Sequence, residues 1–172
     1  MEKEPHHHPQ NASQTHYTGP LDLDKTIDKL ISGSALPQSD LEELLHAAKE
    51  MLRSESSLIE IKAPITVVGD IHGEISTLQE IFNVCGKPPF TNFLFLGDYI
   101  NRGNHGIEVL CTLLAYKLKH RNRIHLLRGH SECRDWAKKF GFHDECIRKY
   151  DGHHIWQLFI ELFPCFPIAA VI

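Results

Sequence analysis

The chain has 172 residues, of which 42% are hydrophobic and 23% charged, an ordinary globular composition that suffices for one domain with a sizeable core. The net charge of -4 and the lack of a long basic run give no electrostatic reason to expect nucleic acid or an anionic membrane as a partner. No secretory signal and no apolar run long enough to span a bilayer are visible, which predicts a cytoplasmic or nuclear protein.

Residues 1–20 are rich in His, Pro, Gln and Ser and carry few large apolar side chains. Such a segment buries too little surface to offset the entropy lost on ordering, so we predict a disordered tail. Residues 21–56 are predicted to form a helical region, because apolar residues recur there at helical spacing.

Two helices are expected within this helical region. The first apolar stripe runs from Leu21 to Ile31, and Gly33 is a typical stop signal. The second stripe follows Ser39, and Glu42 three residues later completes a capping-box pattern. We therefore expect the second helix to begin at Ser39.

Residues 57–172 alternate between strand and helix patterns. β-type runs and amphipathic stretches follow one another in the order βαβαβ, which implies a parallel sheet with right-handed crossovers. The predicted elements are strands at 58–61 and 65–68, a helix from 75 to 82, a strand at 93–96, a helix from 107 to 118, and strands at 124–127 and 168–172.

Three polar segments follow predicted strands of this sheet. They read GDIHG at 69–73, GDYINRG at 97–103 and LRGHSE at 127–132. Because the carboxyl ends of parallel strands meet at one sheet edge, the three segments should converge there. Taken alone, Asp70 is typical of a turn and His72 of a satisfied polar side chain. Together with Asp98 they form an oxygen and imidazole set suited to a Mn- or Fe-type ion.

These segments resemble the signatures GDxHG, GDYVDRG and LRGNHE of the Ser/Thr phosphoprotein phosphatases, a family of metallophosphoesterases. The similarity extends from about residue 21 to the last residue and looks closest to the type 1 branch. It implies an α/β metallophosphoesterase (calcineurin-like) sandwich, truncated to its N-terminal βαβαβ half at residues 57–172 and preceded by N-terminal helices. The implied reaction is metal-dependent hydrolysis of phosphoserine and phosphothreonine, with Mn²⁺ or Fe²⁺/³⁺ as cofactors.

The resemblance also implies roles for individual residues. Asp70 and His72 would bind a first metal ion, and Asp98 would bridge it to a second. Arg102 would hold the phosphate through a charge-assisted fork. His130 stands where the family has an asparagine that binds the second metal, and imidazole can also ligate Mn or Fe.

Two positions depart from the family pattern at the proton donor. Ser131 stands in place of the histidine that acts as general acid, and Asn101 in place of its aspartate partner. Loss of such a donor typically costs roughly 100-fold to 10,000-fold in rate. In a rival interpretation, His130 itself serves as the acid and leaves the third segment without a metal ligand.

The family's remaining metal-binding histidines and its second phosphate-binding arginine would follow residue 172. The sequence therefore predicts at most one well-bound ion, with weak or absent catalysis, and an exposed apolar patch at 166–172. The expected partners are phosphoprotein substrates or phosphatase regulatory proteins. The alternatives are a catalytically dead pseudophosphatase that acts by binding, and a fragment of a longer protein.

Overall fold

The computed structural model of the protein describes residues 17–172. No helix within this range is both long and apolar enough to cross a membrane. The helices are α1 (Leu23–Ile31), α2 (Gln38–Arg53), α3 (Ile75–Cys85), α4 (Gly106–Lys119), α5 (Arg134–Lys139), α6 (Phe142–Lys149) and α7 (His154–Leu162), followed by a 3₁₀ turn at Phe163–Cys165. The strands are β1 (Leu58–Glu60), β2 (Thr66–Val68), β3 (Phe93–Phe95), β4 (Ile124–Leu126) and β5 (Ala169–Val171).

The strands form two small parallel sheets. The first contains β2, β3 and β4 in that order, with Val67 opposite Leu94 and Leu94 opposite His125. The second pairs β1 with β5, so that Ile59 lies opposite Ala170. The predicted βαβαβ order is confirmed, and the carboxyl ends of β2, β3 and β4 lie side by side.

Helix α4 lies at the centre of the core. Every residue from Gly106 to Leu118 is buried, because α1, α2, α3 and α6 all pack against this helix. A helix that is apolar on most sides is stable only when it is enclosed in this way. Helix α4 begins three residues after Gly103. Because the core holds α4 in place, it also holds the end of the segment that connects β3 to α4.

The start of α2 differs from the prediction. The helix begins at Gln38, and Pro37 occupies the capping position without a side-chain hydrogen bond. Ser39 therefore lies inside the first turn, where its hydroxyl contacts the Asp40 carboxylate at 3.2 Å. Glu42 accepts a bond from the Gln38 side chain instead of reaching back to a cap. The capping-box prediction was wrong because proline, whose fixed φ suits a helix start, begins the helix earlier.

The predicted disordered tail falls mostly outside the described residues, which begin at Tyr17. Tyr17 packs against the main hydrophobic core. Its hydroxyl lies 3.3 Å from a Glu43 carboxylate oxygen and accepts a bond from the Leu21 amide. The described residues thus include 17–20, which the sequence placed in the tail.

The predicted exposure of the last residues is only partly confirmed. Ile168 and Ile172 are each 60% exposed, and Val171 is 55% exposed. Phe166, in contrast, is only 3% exposed, because its ring packs against Tyr99 with a centroid separation of 6.1 Å. The open apolar surface therefore starts at Ile168.

Candidate metal centre

The segments after β2 and β3 are joined by backbone hydrogen bonds. The amides of Ile71 and His72 both donate to the Asp98 carbonyl, at 3.1 and 2.9 Å. The amide of Gly73 donates to the Tyr99 carbonyl at 2.7 Å. The first two polar segments consequently form one rigid unit.

Four residues that are not glycine adopt left-handed backbone conformations in this unit. Their φ angles are 49° at His72, 55° at Asp98, 70° at Asn101 and 65° at Arg102. Such conformations cost on the order of 1–3 kcal/mol each, and they persist where surrounding contacts enforce them, commonly at functional sites. All four residues belong to the predicted site.

The segments after β3 and β4 approach each other backbone to backbone. Gly97 has a φ of +111°, and a Cβ at this position would lie 2.2 Å from the Gly129 nitrogen. A Cβ at Gly129 would lie 2.2 Å from the Asp98 nitrogen. Only glycine fits at both positions, and this contact brings the third polar segment against the second.

The structure brings together three of the predicted metal ligands. One potential ligand atom from each of Asp70, His72 and Asp98 lies within 4.8 Å of the others. Within this group, His72 Nε2 lies 3.4 Å from Asp70 Oδ2. This grouping is suited to a hard or borderline divalent cation such as Mn²⁺ or Fe²⁺.

The hydrogen bonds around this grouping orient its donor atoms. His72 Nδ1 lies 3.1 Å from the Ile100 carbonyl, which can only accept, so Nδ1 carries the proton of the neutral ring. The lone pair on Nε2 then faces the Asp70 carboxylate, an arrangement that a cation between them would stabilise. Asp98 Oδ1 accepts from the Ser131 amide at 2.6 Å, which leaves Oδ2 for a metal. The donor set therefore fits the metal that the sequence predicted.

Glu132 links the loops that carry the candidate metal ligands, a role that the sequence did not predict. Its Oε2 accepts from the amides of Asp98 and Gly129, at 2.8 and 3.0 Å, and its Oε1 from the Tyr99 amide at 2.9 Å. Burial raises the pKa of this fully buried carboxyl to about 7, against the lowering effect of those amides. A glutamate at the end of a polar motif is ordinarily predicted to be exposed. Only the structure shows that three backbone amides donate to the Glu132 carboxylate and that this side chain therefore holds the loops together.

The predicted phosphate-binding and acid positions surround a small cavity of about 70 Å³. His130 is exposed there, with its ring centroid 4.0 Å from that of Trp136. It lies outside the three-residue ligand grouping found among the described residues, so its role as a ligand stays a prediction. The lining residues are His72, Asp98, Asn101, Arg102, His130, Ser131, Trp136 and Phe140.

Asn101 and Ser131 present no proton donor comparable to a histidine. Asn101 is 3% exposed and donates its amide to the Trp136 carbonyl at 3.4 Å. Its Oδ1 is buried without a hydrogen-bond partner among the described residues. Because an unsatisfied buried acceptor typically costs about 1–3 kcal/mol, this oxygen is suited to a hydrogen bond from an enclosed water molecule.

Helix α6 holds the loop that leads from the site into α4. Glu145 is 3% exposed, and its two carboxylate oxygens accept from the Gly106 and Ile107 amides, each at 3.1 Å. Lys149 donates to Glu145 Oε1 at 2.8 Å and to the Asn104 carbonyl at 2.9 Å. The first turn of α4 is therefore capped by a side chain from another helix.

Comparisons with known proteins agree with this geometry. A family model described as calcineurin-like phosphoesterase matches residues 63–172. The chain is 44% identical over 155 residues to a protein phosphatase 2A catalytic subunit of Dictyostelium discoideum, covering 90% of this chain and 50% of that relative. The type 1 branch stays a prediction, since this relative is of type 2A.

A solved structure is also similar. It is a serine/threonine phosphatase from Saccharomyces cerevisiae, described as similar to human phosphatase PP5, with a TM-score of 0.81 and 30% identity. The match covers 87% of this chain and 51% of that one. The chain thus spans about half the length of the relatives it matches.

Proposed function

The chain belongs to the calcineurin-like phosphoesterase family, within the Ser/Thr protein phosphatases, and from this we propose that it binds one divalent metal ion and a phosphoserine or phosphothreonine side chain, with slow turnover. The observation that carries the proposal is the grouping of Asp70, His72 and Asp98, with the Nε2 lone pair of His72 directed at a carboxylate. Mn²⁺ and Fe²⁺ are the metals that this donor set favours.

A bound divalent ion supplies Lewis acidity and lowers the pKa of water. The chain's own residues then bind and orient the substrate. Arg102 is exposed at the mouth of the cavity, where its guanidinium can hold phosphate oxygens. Its backbone is fixed by a bond from its amide to the Phe140 carbonyl at 3.4 Å and by its left-handed φ. These restraints fix the backbone from which the Arg102 side chain reaches the cavity.

Turnover is expected to be slow because Ser131 stands where the family has the histidine that protonates the leaving group; His130, which also lines the cavity, is the rival candidate for this acid. The Ser131 hydroxyl titrates far above neutral pH, and Asn101 cannot orient an acid as a carboxylate does. Absence of a general acid reduces rates by roughly 100-fold to 10,000-fold.

A second candidate function is binding without turnover, as in a pseudophosphatase. It is favoured by Asn101 and Ser131, which line the cavity at the positions of the family's acid pair and supply neither a carboxylate nor an imidazole. In either case, the proposal includes phosphoproteins or phosphatase regulatory proteins as partners, in the cytoplasm or nucleus.

The test is a Mn²⁺ titration followed by electron paramagnetic resonance, together with turnover of an aryl phosphate. The informative variant is Asp98→Asn, because asparagine tolerates the left-handed φ and retains an oxygen for the Ser131 amide. Asp28→Ala, at an exposed position on α1, is the matched control. We expect one Mn²⁺ per chain, at least tenfold weaker binding in Asp98→Asn, and no change in the control.

A double variant, Ser131→His with Asn101→Asp, distinguishes the two candidates. An increase in turnover of at least tenfold with unchanged Mn²⁺ affinity supports a slow enzyme that lacks its acid. Unchanged turnover with tight binding of a phosphopeptide supports the pseudophosphatase. If the wild-type chain binds no Mn²⁺ while folded by circular dichroism, both candidates are wrong.

A further inference from the structure

A basic groove lies between α5, α6 and the start of α7, outside the metal centre. It is a cavity of about 530 Å³ whose lining includes Arg134, Lys138, His143, His153 and His154. Trp156 and Gln157 complete the lining. Two carboxylates flank it: Glu42 lies 3.3 Å from His154 Nε2 and Asp144 lies 3.0 Å from His143 Nδ1. In a chain with a net charge of -4, the two full positive charges of Arg134 and Lys138 on one wall of the groove favour an anionic ligand.

The floor of the groove is formed by aromatic and imidazole rings that pack against one another. Trp156 is 5% exposed, and the ring of His143 stands perpendicular to it with a centroid separation of 5.0 Å. The ring of His153 lies 5.4 Å from that of His143. The Asp144 carboxylate contacts His143 Nδ1 at 3.0 Å and so leaves Nε2 available. A floor of packed rings can hold a ligand without first losing conformational entropy.

Helix α5 separates this groove from the metal centre. Trp136 and Phe140, which are four residues apart, line the cavity at the metal centre, whereas Arg134 and Lys138, also four residues apart, line the groove. Positions two residues apart on a helix point about 200° from each other, so one helix serves both cavities on opposite faces.

From these observations we infer that the groove binds an acidic peptide segment, namely the residues that flank the phosphorylated side chain held at the metal centre. A helix with its side chains is about 10–12 Å across, and an extended peptide advances roughly 3.3 Å per residue. Acidic residues about three to five positions from the phosphorylated residue can therefore reach the groove. This spacing rests on the proposed function, whereas binding of acidic peptide to the groove does not.

The experiment measures the fluorescence anisotropy of labelled peptides with the full chain and Mn²⁺. One peptide carries phosphoserine with Asp at the third to fifth positions on both sides, a second has Ala in place of Asp, and a third has Ser in place of phosphoserine. The groove variant is Arg134→Gln with Lys138→Gln. The matched control is Lys29→Gln with Lys87→Gln, which removes two exposed positive charges elsewhere.

We expect the groove variant to bind the acidic phosphopeptide about tenfold more weakly, with a loss that shrinks at high salt. The control should bind like the wild type. Binding of the unphosphorylated acidic peptide should depend on the groove and be unaffected by Asp98→Asn. This result would support binding of acidic peptide to the groove even if the metal centre proved unable to bind phosphate.

Three results would overturn the inference. The first is equal affinity for the acidic and alanine peptides, or equal losses in the groove variant and the control. The second is full displacement of the unphosphorylated acidic peptide by millimolar inorganic phosphate, which would identify the groove as a site for small anions. The third is equal binding of a single-stranded RNA, which would assign the groove to nucleic acid.

Discussion

Replacement of Glu145 by glutamine should destabilise the protein far more than the removal of an exposed charge from a helix would. Its carboxylate accepts three hydrogen bonds, from two amides at the start of α4 and from the Lys149 ammonium. In Glu145→Gln a single oxygen remains, so at least one buried amide faces an NH₂ group. The change also leaves Lys149 paired only with Glu108 and the Asn104 carbonyl.

The magnitude follows from the bonds that are lost. Hydrogen bonds to charged groups contribute about 1.5–3 kcal/mol each, and an unsatisfied buried donor costs about 1–3 kcal/mol. Since the surroundings relax in part, we expect the free energy of unfolding to fall by about 3 kcal/mol. Total stabilities are typically about 5–15 kcal/mol, so the loss should be readily measurable.

Urea unfolding at 25 °C, followed by circular dichroism, provides the measurement. Glu161→Gln is the control, because Glu161 forms an exposed ion pair with Lys49 on the protein surface and should give little change. If Glu145→Gln lost no more stability than Glu161→Gln, the capping of α4 by α6 would not matter energetically, and the reasoning would be refuted.

The remaining predictions concern a buried ion pair, two glycines and a histidine. Glu55→Gln should cost about 3 kcal/mol in urea unfolding, because it leaves the fully buried Lys117 ammonium, 2.9 Å from the Glu55 carboxylate, without its counter-charge. Lys117→Met should cost less, since Glu55, whose side chain is 13% exposed, retains Arg121 at 3.7 Å, and equal costs would contradict this account. Gly97→Ala should abolish Mn²⁺ binding or folding, because its Cβ would lie 2.2 Å from a backbone atom. The control is Gly141→Ala, where φ is +104° but the space around the residue is open; it should lower the free energy of unfolding by only about 1 kcal/mol and retain Mn²⁺ binding. Burial lowers the pKa of His125 below its ordinary value of 6.5, so the unfolded chain binds this proton more tightly than the folded chain does. The free energy of unfolding should therefore fall as the pH drops below about 6.5. His125→Gln should reduce that fall, and an unchanged pH profile of stability would contradict the assignment.

Local sequence patterns predicted α1 to α4, the strands and the edge of the sheet that carries the site, but they did not predict α5, α6 and α7. Helical spacing of apolar residues and short β-type runs predicted α4 and β3 to within a few residues, because these signals depend on neighbours close in the chain. The start of α2 was mispredicted, since a capping pattern at Ser39 competed with Pro37 and local rules do not rank the two.

The sequence by itself also determined which atoms can serve as metal ligands, because Asp70, His72 and Asp98 follow predicted strands and carry the required donors. Only the tertiary structure decided which lone pairs would be available to an ion, through the bonds from His72 to the Ile100 carbonyl and from the Ser131 amide to Asp98. It alone revealed Glu132 beneath the centre and the basic groove on the other face of α5. The reason is physical: side-chain identity is local information, whereas burial, hydrogen-bond partners and the meeting of distant loops depend on contacts between residues far apart in the chain.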